Sequence, residues 1–221
     1  MNLILFGPPG AGKGTQSDYL VSDLKLFKVS AGDLLRKEID QSTDLGNEIK
    51  ATVDQGKFVS DKIINSLVKK IVSNNQNANK MIFDGYPRNI DQAKNLDFLL
   101  KKNNQKLTCV LNLNVEKNLI IKRILGRQIC TNCGLIFNKF FNPSTKKNHS
   151  CEDKNLITRA DDNEPTIISR FNTYVKETLP IIKYYQKQNL VKEVNGMNEI
   201  DQIYKEIQVI LSSLETWLCE M

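Results

Sequence analysis

Short apolar runs alternating with helical patterns predict an α/β fold, a five-stranded parallel sheet with helices on both faces. A glycine-rich turn directly behind the first run, and two intervals that break the alternation, refine this to a core with two insertions. The strand candidates are "NLILF" (2–6), "FKVS" (27–30), "MIFD" (81–84), "TCVLNLNV" (108–115) and "LVKEV" (190–194), and at least one helical pattern separates each from the next. The first helix follows the glycine turn, with Tyr19, Leu20 and Leu24 on its apolar stripe. Residues 30–60 read as short helices, and 127–160 is rich in Asn, Lys and Cys with little helical period. The expected division is therefore a core of 1–29, 60–126 and 161–221, with insertions at 30–59 and 127–160. A long helix is expected from Pro165 through "TIISRFNTYVKETL" to Pro180, which should kink or end it.

The 221-residue chain is 40% hydrophobic and 25% charged, an ordinary balance for a folded soluble protein. Its apolar runs are far shorter than the ~20 residues of a membrane span, and "MNLILFGPPG" lacks the regions of a signal peptide, so a cytoplasmic location is expected. A net charge of +6 suits nucleic acid, anionic membrane or a phosphate-bearing substrate alike. The five cysteines argue against a disulfide framework: Cys130, Cys133 and Cys151 cluster, Cys109 lies in an apolar run and Cys219 is in the tail.

"GPPGAGKGT" (7–15) sets two glycines five apart with a lysine after the second, between a strand and a helix. Such a loop turns backbone N–H groups of Gly10, Ala11, Gly12, Gly14 and Thr15 toward phosphate oxygens, while Lys13 reaches the β and γ positions. The hydroxyl comes one residue later than in the general pattern, at Thr15.

A phosphate loop does not by itself separate a switch, a motor and a kinase. The further motifs "SAGDLLR" (30–36), "GKFVSD" (56–61), "FDGYPRNIDQA" (83–93), "IIKRILGR" (120–127) and "TRADDNEPTIISR" (158–170) do. With them the sequence resembles the adenylate kinases of the long-lid type over nearly all of its length. The resemblance implies reversible transfer of the ATP γ-phosphoryl to AMP, giving two ADP, in cytoplasmic nucleotide balance. It assigns Lys13, Arg88, Arg127, Arg159 and Arg170 to the transferring phosphoryl. Arg123 should stack on the ATP adenine, with Ile136 and Phe137 bordering the ATP; Phe137 reads equally as a packing residue of the lid. Ser30, Ala31, Arg36, Lys57, Phe58, Val59, Gly85, Tyr86, Pro87, Arg88, Gln92, Arg159 and Arg170 fall to the AMP site, with Gln92 reading the adenine edge. Asp33 and Asp84 match carboxylates that hold Mg2+ through water, and Asp33 is also placed to cap the helix behind it. Ala31 stands where the family usually has a threonine, a loss of ~1 kcal/mol if no water substitutes. Planar guanidinium forks suit the spreading charge of a phosphoryl in transfer, which independently favours the same reaction.

The same resemblance makes 127–160 a mobile lid over the ATP. A segment with so few apolar groups buries little core, and a structural Zn2+ supplies folding energy in its place. "CTNCG" has the form of a zinc knuckle, with Cys130 and Cys133 as ligands and Cys151 as a third. The fourth is His149, two before Cys151, or Asp153, two after it; imidazole suits zinc beside thiolates better than carboxylate does, which favours His149. The expected partners are ATP, AMP and ADP, with no nucleic acid and no membrane, and a monomeric state. The alternatives are a kinase of another nucleoside monophosphate and, in a different class, a zinc-knuckle nucleic-acid-binding ATPase. The latter lacks aromatics interleaved on a basic face.

Overall fold

Apolar runs buried on both faces have one stable arrangement, a parallel sheet between helical layers, and the chain adopts it. The computed structural model describes residues 1–41, 43–54 and 59–219; for Asp54 and 215–219 the description is of the backbone. The elements in order are β1 (Leu3–Phe6), α1 (Lys13–Leu24), β2 (Phe27–Ser30), α2 (Ala31–Asp40), α3 (Asp44–Asp54), α4 (Asp61–Val72), β3 (Met81–Asp84), α5 (Ile90–Lys102), β4 (Cys109–Asn114) and α6 (Lys117–Leu125). There follow β5 (Arg127–Cys130), β6 (Ile136–Asn138), β7 (Leu156–Ile157), α7 (Glu164–Thr173), α8 (Leu179–Gln186), β8 (Val191–Asn195) and α9 (Ile200–Cys219).

The main sheet has the order β2-β3-β1-β4-β8, with every pairing parallel. Alternate residues of each strand point to opposite layers: Ile4, Phe83 and Val110 pack with Tyr86, Leu96, Ile181 and Tyr185, whereas Leu3, Leu5, Ile82 and Leu111 pack with Leu20 and Ile207. The connection from β1 runs to one side, toward β2, and that from its neighbour β4 to the other, toward β8, which opens a crevice beyond the C-terminal ends of the two strands. The phosphate loop occupies the β1 end.

Helices α2 and α3 fill the interval after β2, and β5–β7 form a separate antiparallel sheet of order β6-β5-β7. The long helix expected to kink or end at Pro180 stays helical to Gln186, and the adjustment falls earlier, in a π turn over Tyr174–Thr178. Widening the turn ahead of a proline accommodates a residue that cannot donate to the helix ladder. The turn also brings the Thr178 hydroxyl onto the backbone, where Oγ1 donates to Arg88 O at 2.8 Å. Among the described residues no helix is long and apolar enough to cross a membrane.

Candidate active site

The phosphate loop is held in a shape few residues permit. Gly10 has φ +79, and a β-carbon there would stand 2.7 Å from Ile124 Cγ1. The turn closes with Ala11 N donating to Pro8 O at 3.1 Å, and α1 begins at Lys13. The Lys13 ammonium folds back over the loop, donating to Gly7 O at 2.8 Å and Pro8 O at 2.9 Å. Burial lowers its pKa to about 8, with Arg88 and Arg127 acting the same way and Asp84 opposing.

Arg88 and Arg127 act on the charge of that lysine, and Arg170 and Arg159 lie near those two in turn. Arg88, behind β3, donates from Nε to Gly85 O at 2.8 Å; burial, with Arg170 and Arg36 nearby, lowers its pKa to about 10 against the pull of Asp84. Arg127 opens the lid sheet and grips Asp162, through Nε to Oδ2 at 2.7 Å and a second bond from Nη2 to Oδ1; the Asp162 side chain is fully buried. Arg170 on α7 donates to Asp161. Arg159 is lowered to about 10 by burial and then by Arg127 and Arg36. Repelling, partly desolvated cations held this close form a receptor for several anionic oxygens. Asp84 ends β3 on this crevice: a β-carbon on Gly14 would lie 3.9 Å from Asp84 Oδ2 and 3.9 Å from Ile136 Cδ1. The second distance also brings lid strand β6 down onto the phosphate loop.

Three expectations change here. Asp33 does not cap α2; Ser30 does, its Oγ accepting from Asp33 N at 3.3 Å, because the helix starts at Ala31 and leaves Asp33 inside the first turn. Asp33 instead pairs with Arg36, and although burial alone would raise its pKa, Arg36, Ser30 and Lys28 together hold it below the usual value. Phe137 does not border the crevice: strand alternation turns it inward, 4% exposed, with its ring centroid 4.7 Å from that of His149, while Ile136 faces the loop. Tyr86 likewise points into the core, its hydroxyl bonded to Asn65 Oδ1 at 2.7 Å, and Pro87 is buried beside it.

A pocket beside the crevice is lined by Ala31, Leu35, Val59, Ile64, Gly85, Arg88 and Gln92. Its walls are apolar apart from the Gln92 amide and the arginine. Lys57 and Phe58, expected to help enclose it, lie outside the described residues. On the opposite side Arg123 donates to Gly196 O at 2.7 Å and lies 5.8 Å from the Phe141 ring centroid. Sequence reasoning missed Phe141, Gly196, Asp161, Asp162 and Thr178. The two aspartates sit inside a quoted motif, and an acidic pair between two arginines was the available signal.

In the lid, one ligand atom from each of Cys130, Cys133, His149 and Cys151 lies within 4.8 Å of the others. Asp153 is not among them and begins a short 3-10 turn. Gly134 follows the knuckle with φ +73, which an L side chain would strain. Burial raises the Cys130 thiol, but the N–H groups of Cys133 and Asn132 outweigh it and bring it down to about 6. His149 is buried; its Nδ1 is 2.9 Å from Ser144 Oγ, and its Nε2 has no hydrogen-bond partner. A favoured thiolate, two further thiols and a buried ring nitrogen without a partner fit a tetrahedral Cys3His zinc site.

A phosphate loop at a sheet switch point, with a cluster of cations over it and a pocket beside it, defines a P-loop phosphotransferase. The family model described as adenylate kinase matches residues 5–190. Among similar curated proteins, the adenylate kinase of Pelagibacter ubique (strain HTCC1062) is 44% identical over 96% of this chain and 99% of its own length. That of Clostridioides difficile (strain 630) is 39% identical over 96% and 99%, and that of Methanocella arvoryzae 38% over 97% and 100%. The chain belongs to the adenylate kinase family and is an enzyme.

Proposed function

We propose a division of labour among these residues in the reaction of the family, reversible transfer of the ATP γ-phosphoryl to AMP to give two ADP. The observation that carries it is the convergence of Lys13, Arg88, Arg127, Arg159 and Arg170, with burial lowering the pKa of Lys13, Arg88 and Arg159. In the forward direction an AMP phosphate oxygen forms a bond to the γ-phosphorus while the bond to the β,γ-bridging oxygen breaks. The attacking phosphate has its second pKa near ~6 and is already an anion at neutral pH, so no side chain has to remove a proton. The protein's task is then positioning and charge stabilisation.

Lys13 and the N–H groups of Gly10, Ala11, Gly12, Gly14 and Thr15 hold the β and γ phosphates, and Arg88, Arg127, Arg159 and Arg170 take up the charge that spreads in transfer. Arg123 holds the ATP base against Phe141, with Ile136 closing the lid side. AMP lies in the pocket beside α2, its phosphate toward Arg36 and Arg88 and its base against Val59 and Gln92. Bond partners already present, Asp161 and Asp162 among them, limit the side-chain freedom lost when substrate binds. Asp84, with Asp33 beside Arg36, would hold Mg2+ through water. When bound, that ion neutralises β and γ phosphate charge. A closed lid excludes water from the phosphoryl group.

We assign the lid cluster to a structural Zn2+ held by Cys130, Cys133, His149 and Cys151, remote from the chemistry. A coupled assay with AMP, UMP, CMP and GMP as acceptors tests the base assignment. AMP should lead by at least about a hundredfold, the scale expected of a site that hydrogen-bonds its substrate. Equal turnover of another monophosphate overturns it.

A further inference from the structure

The polar end of the acceptor pocket holds one amide in one orientation. Gln92, in the first turn of α5, is 2% exposed. Its Oε1 accepts from Arg88 N at 2.7 Å, and its Nε2 donates to Asp61 Oδ1 at 2.6 Å. A backbone N–H only donates and an ionised carboxylate only accepts, so turning the amide over would face N–H with N–H and oxygen with oxygen. Asp61 is itself held: Asn89 Nδ2 donates to both its oxygens at 3.0 Å, and Asn89 Oδ1 accepts from Gln92 N at 2.8 Å. The two ends of the lock come from different parts of the chain, Asp61 from the start of α4 and the Arg88 N–H from the turn ahead of α5.

An amide left free to rotate is ambidextrous. Gln92 retains one N–H and one carbonyl lone pair beyond the two bonds above, and these can meet the edge of a purine. Adenine presents its 6-amino donor beside a ring-nitrogen acceptor, a pattern a glutamine matches with two bonds. A 6-oxopurine reverses the order, with an acceptor at position 6 and a donor at N1. An unlocked amide serves either base by turning over; a locked one serves the first and leaves two mismatched pairs with the second.

We propose that Asp61 is a specificity-determining positioning residue: by fixing the Gln92 amide against rotation it makes the acceptor pocket take a 6-aminopurine monophosphate and reject a 6-oxopurine one. This rests on the assignment of Gln92 to the acceptor base. Without it, Asp61 would be only a tie between α4 and α5.

The two roles separate in the ratio of kcat/KM for AMP over inosine monophosphate, measured with ATP as donor. Asp61→Asn is isosteric and removes the acceptor-only end of the lock, leaving the Arg88 N–H alone to oppose turnover, so the ratio should fall about tenfold, through loss on AMP and gain on inosine monophosphate. Asp61→Glu retains the carboxylate and should keep the ratio within about threefold of the parent. Asp61→Ser, whose hydroxyl donates or accepts, replaces the amide variant if that fails to fold. A melting temperature that drops while both substrates slow alike, leaving the ratio unchanged, overturns the proposal. Gln92→Ala tells the two failures apart. If it collapses the ratio and Asp61→Asn does not, the lock is wrong and the base assignment stands; if it leaves the ratio intact, the base assignment falls and the lock with it.

Discussion

The parallel sheet and the lid solve the same problem with different physics. In the sheet Leu3, Ile4, Ile82, Phe83 and Val110 are all 0% exposed, and transfer from water holds them. Between 127 and 160 the buried side chains are Cys130, Phe137 and His149, while Leu135 is 50% exposed, Phe140 59% and Ile157 49%. Two of the three buried groups in the lid are thus candidate metal ligands, and the third packs on one of them. If, as proposed, this segment lifts and closes over substrate, it cannot be anchored by a core shared with the body of the protein. On the assignment proposed above, a metal would give it local stability that travels with it.

The largest expected effect lies where the two regions meet. Lys13→Met should lower kcat by about a thousandfold or more, the upper range for removing one preorganised donor, with the far-ultraviolet spectrum unchanged. The same variant should melt higher than the parent at pH 7. Because the folded pKa of Lys13, about 8, is below that of a free lysine, 10.5, the unfolded chain binds more protons between those values. Parent stability should therefore rise with pH across that window, and the methionine variant should lose this component of the rise. Equal pH slopes in the two proteins would show that burial does not strain the lysine.

Independence of the two regions predicts additivity. Ile82→Ala in the sheet should cost ~3 kcal/mol, or roughly 10 °C in Tm, with or without metal. Chelation should lower Tm by roughly half as much and leave activity measurable at low temperature. The two losses should add to within ~0.5 kcal/mol. His149→Ala should reproduce the effect of chelation and Asp153→Ala should not. A protein that carries no zinc by elemental analysis removes the metal reading, and a metal content lowered by Asp153→Ala alone transfers the fourth ligand.

The same contrast explains what the sequence made legible. The five sheet strands begin and end within one residue of the expected runs; in the central β1, β3 and β4 burial on both faces writes a continuous apolar signal, whereas the edge strands β2 and β8 carry alternating polar residues and stood out by their spacing between helical patterns. The phosphate loop and the arginines were readable because their chemistry demands those residue types at those spacings. The lid strands were not: a three-residue strand such as Ile136–Asn138 is too short to establish a period, so which of Ile136 and Phe137 turns inward was undetermined. The pairings of Arg127 with Asp162 and of Arg170 with Asp161 depend on how α7 approaches the lid sheet, which no local pattern encodes. The π turn escaped notice because a helix and its widened turn share the same residue preferences.

The smallest effect is expected at Phe141. Its ring is the lid aromatic set against a core cation, 5.8 Å from the Arg123 guanidinium, and it is 38% exposed. An exposed contact of this kind is worth ~0.5–1 kcal/mol. Arg123 also keeps its 2.7 Å bond to Gly196 O, which the lid does not supply. Phe141→Leu should therefore raise the KM for ATP about two- to fivefold, and leave kcat within about twofold. The KM for AMP should not move, since the acceptor pocket lies on the other side of the phosphate loop. A fall in kcat equal to the rise in KM would mean that the ring acts in lid closure and not in holding Arg123. The lid would then be joined to the core by more than the hinge and the nucleotide, and the additivity of chelation with Ile82→Ala would fail in the same protein.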